Sequence, residues 1–213
     1  MSLPSHRTQR ALVVAITLIA ATCGALPVTQ AAPPAAGARQ DFNGDGYEDL
    51  AVAAPYATVG GKAKAGYVAV LSGSASGLRT SSKKVYSQAS AGIPGTPEAG
   101  DLFGSRLAAA DLDGDGYTDL LVESLGEQWQ QDGVEHSGTR TVLWGGPAGL
   151  TSGTVLPAEG TGRLQAPLTV AGDFDGDGHQ DLARDGRVLL GPLGRDGRPA
   201  ATQENAPSPT PTC

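Results

Sequence analysis

Cysteine is nearly absent from this sequence. Only Cys23 and Cys213 occur in 213 residues, which excludes a disulfide framework as the device that holds a small core together. Histidine is scarce too: His6, His136 and His179 are the full set. Few residues are therefore left for imidazole catalysis or for zinc and copper sites. Aromatic residues make up 5% of the chain. Basic charge is outweighed, with 15 Lys+Arg against 22 Asp+Glu, which excludes the basic face that nucleic-acid binding requires. No sustained 3.6-residue periodicity runs through the body of the chain, so a helical architecture is excluded as well. What the sequence has in excess is 31 glycines and 15 prolines, a composition suited to turn-rich β structure.

The first 31 residues read as a secretory leader. His6, Arg7 and Arg10 form a basic start, Ala11 to Ala21 an apolar run, and Thr29-Gln30-Ala31 offers small residues before a cleavage point. The apolar run is shorter than the ~20 residues of a bilayer span, and Gly24 and Pro27 break the stretch after it. An uncleaved membrane anchor and a lipid anchor on Cys23 are the alternative readings. There is no twin arginine, which favours a Sec-type route. Without residues 1–31 the chain carries 13 basic against 22 acidic groups, a net charge of −9.

That acidity is concentrated in three copies of one loop, D-x-[DN]-G-D-G-x-x-D-L, beginning at Asp41, Asp111 and Asp173. Hard divalent cations take six to eight oxygens at about 2.3–2.6 Å, and side chains at positions 1, 3 and 5 of a tight turn can converge on one such ion. Position 7 adds a backbone carbonyl and position 9 a further carboxylate. The ligands predicted are Asp41, Asn43, Asp45, Tyr47 and Asp49 in loop 1; Asp111, Asp113, Asp115, Tyr117 and Asp119 in loop 2; and Asp173, Asp175, Asp177, His179 and Asp181 in loop 3. The tyrosines and His179 would serve through their carbonyls. Glycines at positions 4 and 6 allow the backbone to curl. An EF-hand needs a bidentate Glu at position 12, where this chain has Val52, Val122 and Arg184. The all-oxygen set predicts Ca²⁺, up to three ions, in preference to Mg²⁺, which keeps more of its water.

A second element repeats in phase with the loops: Val70-Leu71-Ser72-Gly73, Val142-Leu143-Trp144-Gly145 and Val188-Leu189-Leu190-Gly191. The short apolar runs after each loop suit strands. Predicted strands lie near 50–54, 66–72, 84–87 and 106–110, then near 119–124, 138–144, 153–156 and 167–171. Units of four strands of this kind stack radially into a propeller. The third unit reads as shortened. The Asp loop can either join two units or form an early hairpin within one.

The segment from Leu102 to Val122, with Phe103-Gly104, then Ala108-Ala109-Ala110, then the second loop, resembles an FG-GAP repeat, the repeat of the integrin α-subunit β-propeller and of many secreted bacterial proteins. The resemblance spans roughly residues 38–194 and implies an all-β chain of β-propeller-type four-stranded blades with Ca²⁺-binding hairpin loops, incomplete at about 2.5–3 blades. Asp111, Asp113, Asp115 and Asp119 match the family's Ca²⁺ ligands. The domain layout expected is a signal peptide at 1–31, a partial propeller at 32–194 and a disordered Pro/Ser/Thr-rich tail at 195–213.

For function, the resemblance implies a secreted, non-catalytic binding or adhesion module for an extracellular protein or glycan, with self-association as a way to close the ring. An accessory region of an extracellular hydrolase or lyase, and a truncated fragment of a longer propeller, are the alternatives. No enzyme is expected. The one candidate nucleophile elbow, Gly73 to Gly77, has Ala75 where the serine should be. His136 is expected in an exposed hairpin loop, Trp144 in the core, and Trp129 at a surface contact.

Overall fold

The structure is a computed structural model, and it describes residues 40–131, 133–157, 169–184 and 186–204. The leader region, Cys23 and Cys213 lie outside these residues. Eleven strands make up the described part: β1 (Leu50–Ala54), β2 (Tyr67–Leu71), β3 (Lys84–Tyr86), β4 (Phe103–Ala110), β5 (Asp119–Gln131), β6 (Val134–Trp144), β7 (Ser152–Val155), β8 (Val170–Gly172), β9 (Asp181–Arg184), β10 (Arg187–Leu190) and β11 (Ala201–Glu204). They form three antiparallel sheets, ordered β1-β2-β3, β4-β5-β6-β7 and β8-β9-β10-β11. Among the described residues these are the blades of an incomplete propeller. No helix among the described residues is long and apolar enough to cross a membrane.

The grouping settles where the Asp loops sit. Loop 2 connects β4 to β5, which pair from Ala110↔Asp119 onward. Loop 3 connects β8 to β9, paired at Gly172↔Asp181. The loop is therefore the first hairpin inside a blade, and the strands near 106–110 and 167–171 open the following blade.

Three expectations are corrected. The third unit is not shortened to a partial blade, and the segment from 195 is not uniformly disordered. Ala201–Glu204 forms β11, in register with β10 from Leu190↔Ala201 to Arg187↔Glu204. Every residue of β11 is exposed, so its place depends on backbone pairing, which composition does not report. The turn before it is held by Gly194 N–H donating to the Arg198 carbonyl (2.8 Å). Residues 205–213 lie outside the described part. Likewise, the stretch expected as an exposed hairpin loop is strand. β5 and β6 run on to Gln131 and Val134, with Trp129 opposite His136. His136 is buried, its ring stacked on Trp129 at 4.1 Å between centroids.

The core lies between blades. Alternate residues of a strand face opposite ways, and the middle blade uses both faces. Leu120, Val122 and Leu143 join Phe42, Val68, Val70 and Phe103 in one buried cluster. Leu121, Val142 and Trp144 join Leu112, Leu182, Leu189 and Leu193 in the other. Phe103, the aromatic of the Phe-Gly pair, is fully buried, and its N–H donates to the Ala65 carbonyl (2.9 Å), binding the start of β4 to the first blade.

A buried polar contact adds to the second of these interfaces. The Glu123 side chain on β5 is 2% exposed and accepts from Arg184 Nη1 of β9 at 2.9 Å and Arg106 Nη1 at 3.3 Å. Thr169 Oγ1 donates to Glu123 Oε1 as well (2.5 Å). Truncating one partner of a buried ion pair leaves the other charge uncompensated. Glu123→Ala should therefore lower unfolding free energy by about 3–5 kcal/mol in denaturant titrations, whereas Arg187→Ala, at the exposed Arg187–Glu204 pair, should cost under about 1 kcal/mol.

Candidate metal centres

Each loop is a series of side-chain-capped turns. At position 1, Asp41 accepts Gly44 and Asp45 N–H on Oδ1 (2.8 and 3.1 Å) and Gly46 N–H on Oδ2 (2.8 Å). Asp111 repeats this with Gly114, Asp115 and Gly116, and Asp173 with Gly176 and Gly178. At position 3, Asn43, Asp113 and Asp175 each accept the N–H of position 5. At position 5, Asp45, Asp115 and Asp177 accept the N–H of position 7 at 3.0, 3.0 and 2.8 Å. Glycines 4 and 6 have positive φ in all three loops, from 71° to 91°, which a Cβ would disfavour.

The result is a cluster of oxygens. One atom each from Asp111, Asp113 and Asp115 lie within 4.8 Å of one another, as do those from Asp173, Asp175 and Asp177. In loop 1 the same turn carries Asn43, whose Nδ2 donates to Asp45 Oδ2 (3.2 Å). The donor set is all oxygen, hard and multiply anionic, and so fits a Ca²⁺-type cation better than a soft metal.

Position 9 plays a different part. Asp49, Asp119 and Asp181 are buried at 6%, 0% and 0% exposure. Each holds two backbone amides. Asp49 accepts Phe42 N–H (3.1 Å) and Gly73 N–H (2.8 Å). Asp119 accepts Leu112 N–H (2.9 Å) and Gly145 N–H (2.7 Å). Asp181 accepts Phe174 N–H and Gly191 N–H, both at 2.8 Å. These carboxylates clamp position 2 of the loop to the glycine that ends the second in-phase element. Asp119 and Asp181 stand outside the three-carboxylate clusters. Burial pushes the Asp119 carboxyl up to about 7, against its two amide hydrogen bonds, and raises that of Asp49 as well. The clamped glycines are required by space: a Cβ on Gly73, Gly145 or Gly191 would overlap the carbonyl oxygen of Glu48, Thr118 or Gln180, position 8 of the respective loop.

The loops also join neighbouring blades. The Phe42 carbonyl accepts Gly146 N–H (3.1 Å), and the Leu112 carbonyl accepts Leu193 N–H (2.7 Å). The ring of Tyr117 lies over Gly44, and that of His179 over Gly114, so in loops 2 and 3 the position-7 side chain covers the preceding loop. Sequence reasoning missed the clamp and these joints.

The FG-GAP repeat model matches residues 32–71 and 103–143. The chain carries FG-GAP repeats. Loop 3 lies outside the matched stretches, yet keeps the pattern and the clamp. Over 87 residues, 40% of its length, the chain is 39% identical to integrin alpha-IIb of Homo sapiens, covering 7% of that protein. It is 38% identical over 87 residues to integrin alpha-V of Gallus gallus, covering 8% of it. It is 30% identical over 148 residues, 68% of its length, to phosphatidylinositol-glycan-specific phospholipase D of Rattus norvegicus, covering 17% of that protein. The chain thus spans a small part of each relative.

Clamp and cluster respond differently to mutation. Asp119→Ala should destabilise by about 2–4 kcal/mol even in chelator, because two buried N–H groups lose their acceptor. Asp115→Ala, whose contacts are exposed, should cost under about 1 kcal/mol in chelator. Denaturant midpoints of the two variants in EDTA check this.

Proposed function

We propose that this FG-GAP chain is a secreted, non-catalytic binding module whose three Asp loops take Ca²⁺. The observation that carries this reading is the threefold recurrence of one turn that gathers side-chain oxygens at positions 1, 3 and 5. In each loop the ion would draw on these residues, on the position-7 carbonyl (Tyr47, Tyr117, His179) and on the position-9 carboxylate (Asp49, Asp119, Asp181). The cation neutralises clustered carboxylates and stiffens the hairpin that locks one blade to the next. The chemistry it supplies is structural.

The binding partner proposed is an extracellular protein or glycan. The extended β5–β6 hairpin offers a contact surface, with Trp129, Gln128, Gln130 and Glu135 around a cavity of about 340 Å³. Apolar residues at the two ends of the blade series support self-association: Val52 and Val85 on the first blade are 44% and 47% exposed, and Val170 and Phe174 on the third are 48% and 51% exposed. The similarity to the phospholipase D favours a second reading, in which the repeats accompany a hydrolase. Glycan and matrix-protein arrays probed with and without chelator separate the two: calcium-dependent capture supports the binding module, and none supports the accessory role.

Calcium titration tests the cation reading. For dissociation constants of ~10⁻⁴–10⁻³ M, usual for extracellular modules, each site should add about 1.4–2.7 kcal/mol of stability at ~10 mM Ca²⁺. The thermal midpoint should rise with free Ca²⁺ and fall back in EDTA. No shift at ~10 mM would overturn the reading.

A further inference from the structure

The three loops spend the same oxygens on their internal turns, so the oxygens left over can be compared. Both position-1 oxygens accept backbone N–H groups, and Oδ1 of positions 3 and 5 does too. The Oδ2 atoms of positions 3 and 5 remain. In loop 3 no hydrogen-bond partner reaches Asp175 Oδ2 or Asp177 Oδ2 among the described residues. In loop 1, Arg79 Nη2 stands 3.4 Å from Asp45 Oδ2. In loop 2 both are taken by one residue of the following blade: Arg195 Nε donates to Asp113 Oδ2 at 2.6 Å and Nη2 to Asp115 Oδ2 at 2.7 Å.

We propose that Arg195 is a tethered cation that fills loop 2 in place of a divalent ion, so that an ion enters only when the guanidinium leaves, and loop 3 fills before loop 2. The inference rests on the cation reading above. A divalent ion and a guanidinium drawn to the same two oxygens would stand within a few ångströms of each other, where like charges repel. The backbone of Arg195 is held independently of its side chain. Its carbonyl accepts Thr154 Oγ1–H (2.7 Å), and Thr154 Oγ1 accepts Trp144 Nε1–H (2.9 Å). The guanidinium itself lies 5.6 Å from the Trp144 ring centroid, and the side chain is 49% exposed. It can swing into solvent while the third blade stays attached. Calcium binding at loop 2 would then be read directly at Trp144.

The test is a Ca²⁺ titration of the full chain followed at the amide resonances of Gly46, Gly116 and Gly178, one per loop, in wild type and Arg195→Gln. In wild type Gly178 should reach its midpoint at lower free Ca²⁺ than Gly116. Arg195→Gln should lower the Gly116 midpoint about three- to ten-fold, as expected for loss of a partly exposed charge pair, and leave Gly178 unchanged. Arg195→Lys, a compact charge with no bidentate fork, should fall between them and stands in if the Gln variant does not fold. In a Trp129→Phe background, Trp144 fluorescence should change with Ca²⁺ only when Arg195 is present. A Gly116 midpoint that is unchanged or raised in Arg195→Gln would overturn the inference while leaving the cation reading intact. Silence of all three resonances up to ~10 mM Ca²⁺ would overturn the cation reading and this inference with it.

Discussion

The buried aspartate at position 9 is the constraint on which the rest of the blade depends. Its two oxygens hold two amides that are far apart in sequence: position 2 of the loop, 7 residues back, and a glycine 24, 26 or 10 residues on. Removing a carboxylate from water is costly, and charge-assisted bonds to backbone N–H groups offset part of that cost. The clamp explains why the two recurring sequence elements stay in phase although the spacing between them varies. It also explains the glycine. The strand end must approach the position-8 carbonyl so closely that no Cβ fits.

The clamp also sets the packing between blades. Fixing position 2 directs its side chain toward the next blade. Phe42 and Leu112 are each 1% exposed there, while Phe174, which has no further described blade to meet, is 51% exposed. The same residue carries the carbonyl that accepts an N–H from the next blade. Loop, clamp and inter-blade core are thus one mechanical unit, and a cation in the turn would stiffen a joint. The middle blade, covered on both faces, holds the fully buried Trp144 and Phe103, and its Glu123 binds Arg184 of the third blade. Among the described residues, the outer blades each keep one face open.

Much of this was legible in the residues. The carboxylate spacing and its recurrence mark the loops, and alternating apolar runs after them mark β1, β5 and β9, because local periodicity reports strands buried on their faces. Four features were not legible. The clamping role of position 9 is one, because its amide partners are set by the fold and not by spacing. The continuation of β5–β6 through Glu127, Gln128 and Gln130 reads as loop, since polar strands beyond the core carry no alternation signal. β11, the sequence Ala201–Glu204, is an exposed edge strand held by its backbone pairing with β10 and the exposed Arg187–Glu204 ion pair. Arg195 reads as the start of a tail, yet it reaches back 80 and 82 residues to loop 2.

The central claim is that the clamp is built into the fold and does not wait for a cation. Amide hydrogen exchange at Gly145 and Leu112, measured in EDTA, tests it most directly. Both N–H groups should exchange about as slowly as the core amides of β5 and β6, reporting an opening free energy close to that of global unfolding. Exchange at the rate of an open loop in EDTA, with protection appearing only after Ca²⁺ is added, would contradict the account.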